Sequence, residues 1–130
     1  MILVVDASAA VEYLLQTTVG LRVAGILEGM KIAAPELLDA EVLSVLRREV
    51  LAGRSGERRA GEAVADLRDW GLERVAHRSL LEEAWSVRGT ASDALYVALA
   101  RLRRAALITA DGPLSRLPGI GVTVQNVRLA

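Results

Sequence analysis

The chain has 130 residues, 52% of them hydrophobic, and its 16 basic side chains balance 16 acidic ones. That excludes a disordered tail, and it excludes a protein coated with basic charge for bulk nucleic-acid binding while leaving room for a local basic groove. No Cys and a single His exclude disulfide scaffolds, zinc ribbons, iron–sulfur centres, cysteine nucleophiles and multi-histidine metal sites, so carboxylates are the abundant reactive groups.

Such a length predicts one domain over residues 1–130. With 3% aromatic residues and no Phe, its core is built from Leu, Val, Ile and Ala. The N-terminus lacks a basic segment, and its apolar run ends after Val5 at Asp6, which is no export signal. No stretch approaches the roughly 18 uncharged residues that span a bilayer. A cytoplasmic protein with no membrane partner is expected.

Ile2 to Val5 is a short apolar run of the kind buried on both faces of a parallel sheet. Ser8 is placed to cap a helix through Leu15, and Thr17-Thr18 opens a second one, Val19 to Glu28, stopped by Gly29. Lys31 to Ala34 is a weak strand closed by Pro35. A long helix follows from Glu36 to Leu51, and a more polar one from Ser55 to Trp70 with Val64 and Leu67 inward. Glu73 to His77 reads as a third strand. Ser79 caps a helix through Arg88, with Gly89 as its stop, and Ser92 caps the helix Asp93 to Arg104. Ala105 to Thr109 is an apolar strand followed by the turn Ala110-Asp111-Gly112. Gly112 to Leu117 is one helical turn at most, and Val122 to Val127 is an edge strand. The alternation predicts an α/β three-layer sandwich around a mostly parallel central sheet.

In such sheets the carboxyl ends of the strands carry the site. Asp6 follows the first strand and Asp111 the strand 105–109. Asp93 opens the helix that runs antiparallel into that second strand, so its start returns to the same edge. Three carboxylates from distant sequence therefore converge. Like charges this close need a counter-cation or must take up protons, and with these ligand types the natural cation is Mg²⁺ or Mn²⁺. A fourth acid is less determined: Glu36, Asp39, Glu41 and Glu49 all lie on the helix 36–51, with Glu41 at the margin of its apolar face, between Leu37 and Val45. Glu36, after Pro35, fits the start of a helix dipole.

The segments Leu3-Val4-Val5-Asp6-Ala7-Ser8, Ala34-Pro35-Glu36-Leu37-Leu38-Asp39-Ala40-Glu41-Val42, Ser92-Asp93-Ala94-Leu95-Tyr96-Val97-Ala98-Leu99-Ala100 and Leu107-Ile108-Thr109-Ala110-Asp111-Gly112-Pro113-Leu114 resemble the PIN-domain nucleases. More narrowly, they resemble the VapC toxins of toxin–antitoxin modules. The resemblance runs from Met1 to about Val127. It implies a PIN-like fold and four acids, Asp6, Glu41, Asp93 and Asp111, that bind one or two Mg²⁺ or Mn²⁺ ions and catalyse hydrolysis of an RNA phosphodiester. It matches Thr109 and Ser8 to hydroxyl positions beside the acids. A homodimer is implied as well, with a groove for an amphipathic segment of a cognate antitoxin. The surface expected for these contacts is Val11, Leu14 and Leu15 with part of the helix 36–51.

Other side chains have plainer readings. Arg47, Arg48 and Arg88 read first as solvated helix-face charges, and only second as candidate phosphate contacts among 15 Arg. His77 reads as structural, Trp70 and Trp85 as core or interface, and Tyr96 as packing near the site. A receiver domain needs a late Lys, and the only Lys is Lys31. A haloacid-dehalogenase-type phosphatase needs a second acid where Ser8 stands. The remaining alternatives are a PIN nuclease of RNA processing and a catalytically silent PIN-like binding module.

Overall fold

The computed structural model describes residues 1–117 and 119–128, so Pro118 and the last two residues of the expected domain lie outside it. Five strands form one sheet: β1 (Ile2–Val5), β2 (Lys31–Pro35), β3 (Glu73–Val75), β4 (Ala106–Thr109) and β5 (Val124–Asn126). Their order is β3-β2-β1-β4-β5, and all four pairings are parallel, which sharpens the expected mostly parallel sheet. The central position of β1 explains its composition. Val4 and Val5 are fully buried, as a strand covered on both faces requires. The edge strands β3 and β5 are the short, half-exposed ones.

From β1 the chain winds outward to β2 and β3, then crosses back to add β4 on the other side of β1. The winding direction therefore reverses between β1 and β4, whose carboxyl ends flank the crevice that such a reversal opens. Among the described residues seven α-helices connect the strands: α1 (Ala7–Leu15), α2 (Thr18–Leu27), α3 (Leu37–Leu51), α4 (Glu57–Asp69), α5 (Leu81–Trp85), α6 (Ala91–Arg103) and α7 (Gly112–Ser115). One layer is built on α1, which packs against α2, α3 and α4, and the other on α5 and α6, with α6 lying on β1, β2 and β4. Among the described residues no helix is long and apolar enough to cross a membrane.

Several helix starts differ from the sequence expectation. Asp6, not Ser8, caps α1, and Thr90, not Ser92, caps α6. In both places two small polar residues compete, and the one further upstream, with extended backbone, takes the cap. The helix expected over 79–88 is a 3-10 turn, His77–Leu80, followed by the five-residue α5. Ser79 donates its hydroxyl back to the Ala76 carbonyl there, so it caps nothing. His77 lies outside β3 and accepts the Leu37 N–H on Nε2 at 3.0 Å, satisfying a free donor at the start of α3. Gly20 lets α2 press onto α1: a Cβ there would lie 1.9 Å from the Glu12 carbonyl oxygen.

The expected interaction surface is also corrected. Val11 and Leu14 are buried in the core between α1 and its neighbours, with Leu15 packed against them. Val64 points outward, and Trp85 is 92% exposed while Trp70 stacks on Tyr13 with ring centroids 4.8 Å apart.

Candidate active site

Asp6 is the residue at which β1 becomes α1. Its backbone N–H donates to Ile108 on β4, extending the ladder by one bond, and its Oδ1 accepts the Ala9 N–H at 3.0 Å as the helix cap. Ser8 donates its hydroxyl to the same Oδ1 at 2.7 Å and accepts the Ala110 N–H at 2.9 Å. Thr109, the last residue of β4 and fully buried, donates to Asp6 Oδ2 and accepts the Asp111 N–H at 2.9 Å. Each hydroxyl has one proton, and both protons go to Asp6, so the 3.2 Å approach of Ser8 to Thr109 places two oxygens side by side with neither donating. These two hydroxyls tie the ends of β1 and β4 together and hold the Asp6 carboxylate between them.

All of those donors are neutral. Burial pushes the Asp6 carboxyl up to about 6; the bonds from Thr109, Ala9 and Ser8 pull the other way, and the nearby charge of Asp111 adds to the rise. Asp93, in the first turn of α6, is also pushed up, by burial first and again by Asp111, against the Thr90 hydroxyl. Asp111 joins β4 to α7, and its charge is felt by both other aspartates. The three acids that the topology sends to one edge are thus electrostatic neighbours.

Glu41 reaches the same place from α3. Its Oε1 accepts the hydroxyl of Tyr96 at 2.7 Å. Burial and Glu41 hold that hydroxyl firmly protonated, and the charge of Asp6 contributes in the same direction. The other acids of this helix face elsewhere: Asp39 is paired with Arg74 at 2.8 Å and Glu49 with Arg54, and Glu36 is exposed. Arg74 and Tyr96 from distant sequence and Arg54 from the turn after the helix separate Asp39, Glu41 and Glu49, which helical periodicity leaves together.

Eight ion pairs occur among the described residues, and none includes Asp6, Glu41, Asp93 or Asp111. Also among the described residues, no three acidic or histidine side chains are drawn together as a ready ligand cluster. Asp6, Asp93 and Asp111 are thus neighbours without an ion-pair partner among the described residues, and Glu41 approaches them through Tyr96. Their all-oxygen donor set fits a hard divalent cation, and the upward shift of Asp6 is the shift that such a cation would reverse.

Two arginines near this edge were missed by sequence reasoning. Arg116 on the α7 side lies over Gly112, where a Cβ would come within 2.7 Å of Nη1. Its only sequence signal is the glycine right after Asp111. Arg128 donates from Nε to the Ala110 carbonyl and from Nη2 to Glu12, strapping the chain end across α1. Arg47, Arg48 and Arg88 are exposed and form no ion pair among the described residues.

The PIN-domain family model matches residues 3–120. The ribonuclease VapC1 of Mycobacterium tuberculosis H37Rv is 38% identical over 131 aligned residues, covering 96% of this chain and 97% of the relative. The ribonuclease VapC12 of the same organism is 32% identical, covering 96% and 98%. The chain belongs to the VapC ribonucleases of the PIN-domain family. VapC members are the toxins of VapBC toxin–antitoxin systems. Two solved structures share the fold: VapBC2 from Rickettsia felis bound to a promoter DNA fragment, with a TM-score of 0.58 at 19% identity over 97% of this chain and 98% of the other, and M. tuberculosis VapC20, a sarcin–ricin-loop-cleaving toxin, with 0.59 at 22% over 88% and 93%. The PIN-like architecture expected from four short sequence segments is thereby shown for the whole winding of the sheet.

Proposed function

We propose that this VapC chain is one PIN domain acting as a Mg²⁺- or Mn²⁺-dependent endoribonuclease, with Asp6, Glu41, Asp93 and Asp111 as its catalytic and metal-holding residues. The supporting observation is the acidic edge: four carboxylates, no ion-pair partner among the described residues, and Asp6 pushed up to about 6 between neutral donors. These carboxylates would hold a divalent ion, which would supply charge neutralisation at a phosphodiester and lower the pKa of an attacking water. Asp6 is fixed by Ser8, Ala9 and Thr109, so its oxygens are oriented before anything binds. Asp93 and Asp111 are held on backbone that starts α6 and leaves β4. Arg116, over Gly112, is placed to meet a phosphate of the RNA backbone beside the acids.

The biological setting follows the family. We propose a cognate antitoxin and a homodimer as partners, in the cytoplasm. The VapBC2 structure from Rickettsia felis, which shares this fold, supports the first. A cleft of about 420 Å³ between α1, α2 and α4, lined by Tyr13, Leu14, Leu21, Ala24 and Trp70, offers a place for an amphipathic antitoxin segment. Exposed Leu81 and Trp85 offer apolar surface for a second copy.

Purified protein incubated with structured RNA tests the reaction. Cleavage is expected with Mg²⁺ or Mn²⁺, is expected to stop on chelation, and is expected to be lost in Asp6→Asn and Asp93→Asn. Equal cleavage by those variants, or cleavage that survives chelation, refutes the proposal.

A further inference from the structure

Tyr96 is a core residue whose polar end is unexplained by packing. Its side chain is 2% exposed, and a Phe would fill the same space without burying a hydroxyl. The hydroxyl donates to a single side chain, Glu41 Oε1, at 2.7 Å across the two helical layers. Three elements meet at this oxygen. Tyr96 itself is on α6, one turn after Asp93 and so on the same face. Glu41 comes from α3. The backbone of Ala7, the residue following Asp6, is a further hydrogen-bond partner of the oxygen.

Glutamate has the longest and most mobile of the four acid side chains at this edge. Asp6 is fixed by three donors, whereas the Tyr96 hydroxyl is the one hydrogen-bond donor to Glu41 among the described residues. It takes Oε1 and leaves Oε2 without a hydrogen-bond partner among those residues. We propose that Tyr96 is a positioning residue for the fourth acid: its hydroxyl locks one oxygen of Glu41 so that the other is presented to the divalent cation shared with Asp6, Asp93 and Asp111. This rests on the metal-dependent reading above and adds to it a residue that touches neither cation nor RNA.

The test is Mn²⁺ binding by calorimetry or by the electron paramagnetic resonance signal of free Mn²⁺. It uses the full chain, at a temperature below the melting of every variant, and compares wild type, Tyr96→Phe, Glu41→Ala and the double variant. Tyr96→Phe is expected to melt like wild type without metal and to bind Mn²⁺ about tenfold more weakly, the usual size of an effect transmitted through a ligand's hydrogen-bond partner. The double variant is expected to bind like Glu41→Ala alone, because the hydroxyl acts only through that carboxylate. In RNA cleavage at fixed Mn²⁺, Tyr96→Phe should lower kcat with KM for RNA unchanged. Wild-type Mn²⁺ affinity in Tyr96→Phe overturns the inference, and so does a double variant weaker than Glu41→Ala. A wild type that binds no Mn²⁺ overturns the metal reading and this inference with it, which separates the two failures.

Discussion

Glu73, on the edge strand β3, meets the Arg103 guanidinium at 2.6 Å, and that bond holds its carboxyl below the ordinary range. Asp69, at the end of α4, is drawn down in the same way by its bond to Arg68. Asp6, at the end of the central strand, meets only neutral donors and is pushed up, and Asp93 follows it. The chain carries as many cations as anions. On the rim, away from the carboxyl edge of β1 and β4, the acids are either paired with arginine or exposed, whereas Asp6, Glu41, Asp93 and Asp111 are buried or half-buried and have no ion-pair partner among the described residues. Stability alone would favour pairing Asp6 or replacing it with a neutral residue. A buried, crowded and unpaired carboxylate is better explained by a positive charge brought from outside, which is why this edge reads as the working part of the molecule.

The contrast is broken most directly on α3, where both kinds of acid stand two residues apart. Glu41→Gln keeps the side chain's shape and its bond from Tyr96 but removes the charge. Metal-dependent RNA cleavage is expected to fall about a hundredfold or more, as when a positioned charge-stabilising group is removed from an active site. Asp39→Asn, one turn of pairing away with Arg74, is expected to leave cleavage unchanged. Equal losses in the two variants, measured as initial rates at saturating Mn²⁺, would erase the distinction between rim and edge.

Asp6→Asn separates stability from activity. The carboxyl rises from 3.8 to about 6 on folding, so between those values the folded chain binds a proton that the unfolded chain has lost. Wild-type stability from this group is present below pH 3.8 and declines as pH rises to about 6, then stays level. At pH 8 the metal-free Asn variant, which can still cap α1, is expected to be more stable than wild type by roughly 1–3 kcal/mol, and at pH 4 the two should coincide. Denaturant midpoints across that range measure the difference. Added Mn²⁺ should close the gap at pH 8 by stabilising only the wild type. An Asn variant that is less stable at pH 8 would show that the edge is not under electrostatic load.

Arg74 carries more of the rim than one ion pair. Its guanidinium donates to Asp39, to the Leu67 carbonyl at 2.7 Å and to the Trp70 carbonyl at 3.3 Å, closing the end of α4 against β3 and α3. Arg74→Met, which keeps the aliphatic stem, should cost about 1–2 kcal/mol in denaturant unfolding with cleavage per folded molecule unchanged.

How far the sequence disclosed this arrangement depends on range. The β-branched run at 2–5, the apolar strand at 105–109 and the helices between them carry local signals strong enough to give the parallel architecture. From that, Asp6, Asp93 and Asp111 follow as residues of one edge, because strand ends and helix starts are fixed by topology. Glu41 did not follow from periodicity. Its neighbours Asp39 and Glu49 are neutralised by Arg74 and Arg54, and a helical wheel holds no information about residues arriving from β3 or from the turn after α3. Only the resemblance to known sequences singled it out. Helix caps failed for a local reason: Ser8 and Ser92 each stand two residues after a competing cap, Asp6 and Thr90, that lies at the true turn. The expected docking face failed as such for a packing reason: Val11 and Leu14 are buried under the other helices of their own layer, and α1 contributes only Tyr13 and the edge of Leu14 to the cleft beside α2.

The smallest effect is expected from the stability of Asp39→Asn. The pair with Arg74 is partly exposed, with about two fifths of the Asp39 side chain open to solvent, so screening and side-chain entropy offset much of the Coulomb gain. The neutral amide can still accept one bond from Arg74 Nε. A loss of about 0.5 kcal/mol is expected, shrinking further in high salt, against the larger loss from Arg74→Met, which also frees two buried-side carbonyls. A cost for Asp39→Asn equal to that of Arg74→Met would mean that the charge pair, rather than the capping of α4, holds this corner. Neutralising a rim acid would then be as consequential for the fold as neutralising Asp6, and the division between the two sets of carboxylates would rest on activity alone.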